Sequence, residues 1–249
     1  MNLAEALERL DAAPTPEDLF GPDPREATRA YHRLARLLHP DAGTDGRAFT
    51  RLGTLWRAYG TETTIRTRRH TYTVGRRETR GDLADLFPVS PGALLKLPRD
   101  KADNDLLARE AVALRQLPKD GDVRYLPYVP KLIETFRVQD RQANVITRLD
   151  GFVTLTQVRD ARPGGVDPRD AAWMWRRLLV ALGFAHRAGV LHGAVLPEHV
   201  LIHPGQHGLT LLDWCYSVPG CYAHIDGSGR VPALVARRSS WYPPEVPAK

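Results

Sequence analysis

Histidine, cysteine and carboxylate residues gather toward the C-terminal half of this 249-residue sequence, and their spacing bounds the chemistry they could do. Six of the nine histidines fall between His186 and His224, with both cysteines, Cys215 and Cys221, among them. Such crowding raises a zinc site, but the two cysteines form no Cys-x-x-Cys knuckle and the histidines are spread over several elements. A second set is His39-Pro40-Asp41, a rigid polar turn that follows Arg29, Arg33 and Arg36 on one helical face. Guanidinium groups beside such a turn steer it toward an acidic patch. A third is Glu110, which shares a helical face with Leu107 and Leu114 and so points inward. Basic charge is concentrated in residues 61–80, which hold six Arg against two Glu. Arg66–Arg80 would suit a phosphate backbone, although no aromatic ladder is present to stack bases, so a nucleic-acid partner is the minor alternative.

Elements must position these groups. Residues 23–41 read as a helix with Ala27, Tyr31, Leu34 and Leu38 on its apolar face, stopped by Pro40. After a polar loop, Phe49, Leu52, Trp56 and Tyr59 mark a second helix, and the two predict an antiparallel hairpin. Ala4–Leu10 and Pro16–Phe20 offer short apolar segments to cap it. From residue 70 the pattern turns to strands at 71–74, 83–89 and 93–97, a helix at 103–117, and strands at 133–138 and 144–149. A long helix starts at Asp167-Pro168, a cap followed by a suitable first helical residue, and stops at Gly189. Short strands follow at 200–202 and 209–212. The order predicts an α+β chain: residues 1–60 helical, 61–80 a basic linker running into the first strand, 70–150 a five-stranded lobe with one helix, and 151–249 a mainly helical lobe.

The hydrophobic content of 43% suffices for ordinary cores, and the longest apolar run, Leu178–Ala185, is eight residues, far below the roughly 20 that span a bilayer. No signal peptide is read at the N-terminus, and two cysteines imply no disulfide framework. A soluble cytoplasmic protein with no membrane partner is expected.

Residues 17–60, with Tyr31, the arginine stripe, the aromatic stripe of the second helix and His39-Pro40-Asp41, resemble the J-domain of DnaJ-type co-chaperones. The resemblance implies that His39, Pro40 and Asp41 contact the ATPase domain of a DnaK-type chaperone and promote its ATP hydrolysis, with Arg29, Arg33 and Arg36 as the docking surface. The glycine-phenylalanine-rich and substrate-binding regions of full co-chaperones have no counterpart here.

From about residue 70 onward the chain resembles the protein kinases, with the motifs in kinase order. Leu94-Leu95-Lys96-Leu97 looks like the third-strand motif, and Glu110, fourteen residues on, like its helix partner. Leu149-Asp150-Gly151-Phe152 takes the place of the hinge. His192-Gly193-Ala194-Val195-Leu196-Pro197-Glu198-His199 looks like the catalytic loop, but Ala194 replaces the catalytic Asp, Leu196 the usual Lys and His199 the metal-binding Asn. Asp213-Trp214-Cys215 resembles Asp-Phe-Gly, and Trp241-Tyr242-Pro243-Pro244-Glu245 resembles Ala-Pro-Glu. Gly75 and Gly81 flank a glycine-loop equivalent without its middle glycine. The resemblance implies a nucleotide site of Gly75, Gly81, Lys96, Glu110 and Asp213, with ATP as ligand and Asp213 holding Mg²⁺.

The same resemblance implies a shortened, degenerate kinase domain, as in a group of bacterial proteins, with no efficient phosphotransfer. For the part of the lobe that further helices would cover in a complete kinase, two alternatives stand: a truncated form, or a second protein chain over the exposed face. The enzymatic alternative is an unconventional kinase using Glu198 as a stand-in base.

Overall fold

The computed structural model describes residues 1–21, 23–40, 46–59, 63–90, 92–220, 231–244 and 246. The chain mixes helices with antiparallel sheet and divides into two compact units. One comprises Met1–Arg80 and Leu86–Pro91, the other Gly81–Asp85 and Gly92–Lys249.

The first unit begins with four helices, α1 (Leu3–Ala12), α2 (Pro16–Phe20), α3 (Pro24–Leu38) and α4 (Gly46–Ala58). Each of the first three starts where a side chain satisfies amides that have no partner inside the helix. Asn2 and Glu5 form a reciprocal capping box, Thr15 accepts from Asp18 N–H, and Asp23 accepts from Arg25 and Glu26 N–H with Pro24 at the first helical position. The apolar faces meet in a core of Leu10, Leu19, Phe20, Ala27, Leu34, Leu38 and Leu52. Beside it Tyr31 stacks on Trp56 at 4.3 Å, and Trp56 on Tyr59 at 5.4 Å.

The expected linker at 61–80 is instead structured. β1 (Thr63–Arg66) and β2 (Thr71–Val74) form an antiparallel hairpin, β3 (Thr79–Arg80) follows, and Val89 of β4 (Ala84–Val89) pairs with Val74. The physical reason is internal charge pairing. The Arg76 guanidinium lies 4.5 Å above the Tyr59 ring, and Arg77 donates to Asp18 at 3.0 Å. Arg76 and Arg77, which read as part of a free basic surface, bond back to Tyr59 and Asp18 of the helical segment, and the unit runs on to Arg80 and takes in Leu86–Pro91 as well.

The second unit is built on β5 (Ala93–Pro98), β6 (Leu132–Val138) and β7 (Arg141–Thr147), antiparallel in the order β5-β7-β6. α5 (Asn104–Asp120) packs on this sheet through Leu106, Leu107, Ala111, Leu114 and Leu117. β6 and β7 are joined through Gln139 and Asp140, both at positive φ, as the tight turns matching strand twist require. Asn104 Nδ2 donates to the Asp140 carbonyl at 2.9 Å and holds that turn without glycine. β8 (Val153–Thr154) leads into α6 (Leu155–Ala161) and then α7 (Pro168–Arg187). Short strands β9 (Val190–Leu191), β10 (Val200–His203), β11 (Gly208–Leu211) and β12 (Val218–Pro219) form β11-β10-β8 and β12-β9 sheets. Phe184, Ala181 and Leu211 centre one core, and Leu107, Ala194, Leu196 and Cys215 a second. No described helix is long and apolar enough to cross a membrane.

Candidate functional site

Lys96 lies on β5 with apolar neighbours on both sides, and only 6% of it is exposed. An ammonium cannot stay charged there without partners. Helix α5 supplies the first: Glu110, 1% exposed within the apolar stripe, accepts from Lys96 Nζ at 2.9 Å. The second comes from the end of β11. Asp213 adopts a left-handed conformation, φ 62° and ψ 61°, which turns the chain into a 3₁₀ turn at Trp214–Tyr216. Its Oδ1 accepts from Lys96 Nζ at 2.6 Å. Cys215 Sγ takes the remaining Lys96 donor at 3.2 Å. Burial alone would lower the Lys96 pKa, but the adjacent Asp213 and Glu110 carboxylates outweigh it and hold the pKa well above its usual value. Burial would raise Asp213, but Lys96 and His199 pull it far below the ordinary carboxylate range. The Cys215 thiol is pushed well up by burial and the carboxylate of Glu110, so it stays protonated.

The loop at 192–199 supplies two histidines of opposite character. His192 Nε2 donates to the Leu212 carbonyl at 2.7 Å and Nδ1 accepts from Ala194 N–H at 3.3 Å, which fixes a neutral ring. Burial first, then the neighbouring His199, lowers its pKa to about 3. His199 Nδ1 donates to the Ala194 carbonyl at 2.8 Å, and Nε2 faces Asp213 Oδ2 at 3.1 Å and Asp82 Oδ2 at 3.5 Å. Burial would lower its pKa, but the bond to Asp82, the Asp213 charge and the Ala194 carbonyl raise it. Gly193 between them has φ 77°, and a Cβ there would collide with the Tyr216 carbonyl, so only glycine lets the loop lie this close.

The sequence-predicted residues therefore divide. Lys96, Glu110, Asp213, His192, Ala194 and His199 converge. Ala194 is 1% exposed, its methyl packed in a core with Leu196, Cys215 and Tyr216. Glu198 is held by Arg238 at 2.8 Å and Arg237 at 3.5 Å, and although burial would raise its pKa, the bond from Arg238 and its charge lower it. Gly81 bonds through its N–H to the Ala84 carbonyl at 2.8 Å in the same unit, whereas Gly75 belongs to the first unit, where its N–H donates to Pro88 at 2.8 Å. At the expected hinge, Gly151 takes φ 78° beside the His203 ring.

The histidines do not gather into a zinc site among the described residues. His203 packs on Phe152 and His207 on Trp173, while Cys221 and His224 lie outside those residues. The described groups that come within ligating distance of one another are Asp82–His199–Asp213 and Glu110–Asp213–Cys215.

Sequence reasoning missed Asp82, Asn144, Arg237 and Arg238. Asn144, fully buried opposite Lys96 on β7, donates to Glu110 Oε2 at 2.9 Å and the Leu107 carbonyl at 2.8 Å, and accepts from Thr135 at 3.0 Å. A lone amide in the apolar run Ala143–Ile146 was its signal. Asp82 pairs with Arg237 as well as His199, a link across 155 positions that local pattern does not carry.

In the first unit Arg29, Arg33 and Arg36 are exposed along α3, and Arg29 and Arg33 line a concavity of about 340 Å³ with Arg9, Asp18 and Glu26. His39 caps α3 and meets Phe49 edge-on at 5.0 Å, with Pro40 next to it; Asp41 lies outside the described residues, as does Glu245.

No family model matches the chain. Among curated proteins, the chain is similar to the casein kinase II subunit alpha' of Saccharomyces cerevisiae, 38% identical over 45 residues. That stretch spans 18% of this chain and 13% of the relative's length.

Proposed function

We propose that the second unit is a kinase-like module that binds a nucleotide without efficient phosphoryl transfer, and that the helices of the first are a J-domain-like device recruiting a DnaK-type chaperone. The module would make the protein a regulator or adaptor. The carrying observation is that Lys96, Glu110 and Asp213 meet in one buried cluster while the methyl of Ala194 is packed away in a hydrophobic core. The short likeness to a kinase subunit supports the reading.

The chemistry follows from what each group can still do. The three Lys96 donors are held by Glu110, Asp213 and Cys215, and the thiol is the weakest acceptor, so a phosphate oxygen would take its place at least cost. Glu110, braced by Asn144, keeps the ammonium in position. Proton acceptance from a substrate hydroxyl, which typically contributes 10²–10⁴-fold in rate, has no group at Ala194. Glu198 is a poor stand-in, since two guanidinium groups hold it and one of them, Arg238, lowers its basicity. The nucleic-acid alternative also loses support, because Arg76, Arg77 and Arg80 are engaged with Tyr59 and Asp18.

Titration with ATP followed by thermal unfolding tests the module: at 100 times its dissociation constant a ligand stabilises by about 2.7 kcal/mol. A shift is expected for the wild type and little for Lys96→Ala, with no label passed to protein substrates. Transfer that depends on Lys96 and Asp213 would overturn the non-catalytic reading, and its loss in Glu198→Gln would favour the unconventional kinase. For the helical unit, stimulation of a DnaK-type ATPase should vanish in His39→Gln; stimulation that survives refutes that assignment. A second chain over the module would sit on α7, where Trp175 is 61% and Leu179 49% exposed.

A further inference from the structure

Three side chains from distant parts of the second unit aim one atom each at a common point. Asp82 lies between β3 and β4, His199 leads into β10, and Asp213 follows β11. Their ligating atoms all lie within 4.8 Å of one another, with His199 Nε2 3.1 Å from Asp213 Oδ2 and 3.5 Å from Asp82 Oδ2. Ligands held at about 2.0–2.1 Å around a tetrahedral ion stand about 3.4 Å apart, so these spacings match one coordination shell.

The far atom of each residue is already engaged. His199 Nδ1 is bonded to the Ala194 carbonyl at 2.8 Å, Asp213 Oδ1 accepts from Lys96 at 2.6 Å, and Asp82 Oδ1 pairs with Arg237. Metal ligands are held in this way: an outer partner on one atom fixes the side chain and directs the other atom inward. The Asp82 side chain is 7% exposed, and its oxygens accept no hydrogen bond among the described residues, so ion pairing alone compensates its burial. The charges around the point do not balance. Asp82, Asp213 and Glu110 bring three negative charges against two positive ones from Lys96 and Arg237.

The resemblance to kinases implies Mg²⁺ on Asp213, but an imidazole nitrogen does not suit an ion that takes hard oxygen ligands. One imidazole and two carboxylates suit Zn²⁺. We infer that Asp82, His199 and Asp213 form a site for a transition-metal dication, with Zn²⁺ the preferred ion and one tetrahedral position left open. Any proton on His199 Nε2 leaves as the metal binds, so the site does not depend on the resting charge of the ring. Bound there, the ion ties the turn before β4 to the loop at 192–199 and the end of β11. It needs no nucleotide, so it stands or falls apart from the nucleotide-binding reading.

Calorimetric titration of the EDTA-stripped full chain with Zn²⁺ and with Mg²⁺, in the absence of nucleotide, tests it. Zn²⁺ is expected to bind roughly a hundredfold or more tighter than Mg²⁺. Asp82→Asn and His199→Gln should each weaken Zn²⁺ binding roughly tenfold or more. Undiminished binding in both variants would place the zinc on other histidines or cysteines and overturn the inference, as would no Zn²⁺ binding or an equal affinity for Mg²⁺. Co²⁺ keeps the test decisive if those variants fail to fold. Its spectrum in the wild type should show no thiolate-to-metal charge transfer, whereas Asp82→Cys should gain that band because a thiolate enters the shell. A thiolate band in the wild type, or none in Asp82→Cys, overturns the site.

Discussion

The rings of His192 and His199 lie 6.4 Å apart, and their surroundings move their pKa values in opposite directions. For His192 the consequence can be signed. Its pKa falls from 6.5 to about 3 in the folded chain, so below pH 6.5 the unfolded chain binds the proton that the folded chain refuses. Stability from this group is complete above pH 6.5 and is lost as pH falls from there toward 3. At pH 5 the loss is about 2 kcal/mol. His199, raised, acts in the opposite sense: its contribution is complete below the unfolded pKa and is lost as pH rises through the folded one. Comparing His192→Gln with wild type separates the two. The variant should lose about 2 kcal/mol less between pH 7 and pH 5 in urea unfolding of the second unit, and parallel losses would contradict the neutral-ring assignment. His192 was legible from its place in an ordered motif. The raised pKa of His199 was not, because it comes from a backbone carbonyl and two carboxylates, one of them Asp82 more than a hundred positions away, that only the folded chain brings to the ring.

Among the elements, α5 is tied to β7 by a buried amide. Asn144 donates to the Leu107 carbonyl and Glu110 Oε2, so Asn144→Leu leaves a buried carboxylate oxygen unsatisfied. The expected cost is about 1–3 kcal/mol, seen as a lower unfolding midpoint with faster hydrogen exchange along α5. In the first unit Asp18 ties α2 to the strands through Arg77 and Arg80. Asp18→Asn should cost about 2 kcal/mol, most of it from Arg77, since Arg80 is 55% exposed and screened by solvent. An unchanged midpoint would show the pairs to be incidental.

The legibility of these elements varies for physical reasons. α3 and α5 were readable because an apolar stripe at helical period needs no partner to be recognised. β1 was not, since Thr63–Arg66 has no alternating pattern and becomes a strand only by pairing with β2. β7 begins at Arg141, three residues earlier than expected, because the turn at Gln139-Asp140 lacks the usual glycine or asparagine.

Across the whole chain, the path passes between the two units three times, after Arg80, Asp85 and Pro91. Composition alone placed the boundary at residue 60, where the helices stop and the arginines begin. Composition cannot show that Arg76 and Arg77 turn back to Tyr59 and Asp18, so the sequence marked the change of secondary structure and not the edge of the unit. This path makes a sharp prediction about truncation. In a chain beginning at Gly81, residues 86–90 lose the backbone partners they have in the first unit: Gly75 N–H to the Pro88 carbonyl, Glu78 N–H to the Leu86 carbonyl, and Ser90 N–H to the Thr73 carbonyl. Val89, 4% exposed, also loses its strand neighbour Val74. An unpaired, partly apolar strand edge invites pairing between molecules. The truncated chain should therefore aggregate with rising concentration in light scattering, while a chain in which Leu86–Pro91 is also replaced by a short Gly-Ser linker should not. Equal monomeric behaviour of the two would mean that the 86–91 segment is stable without the first unit, and the division drawn through β4 would be the wrong one.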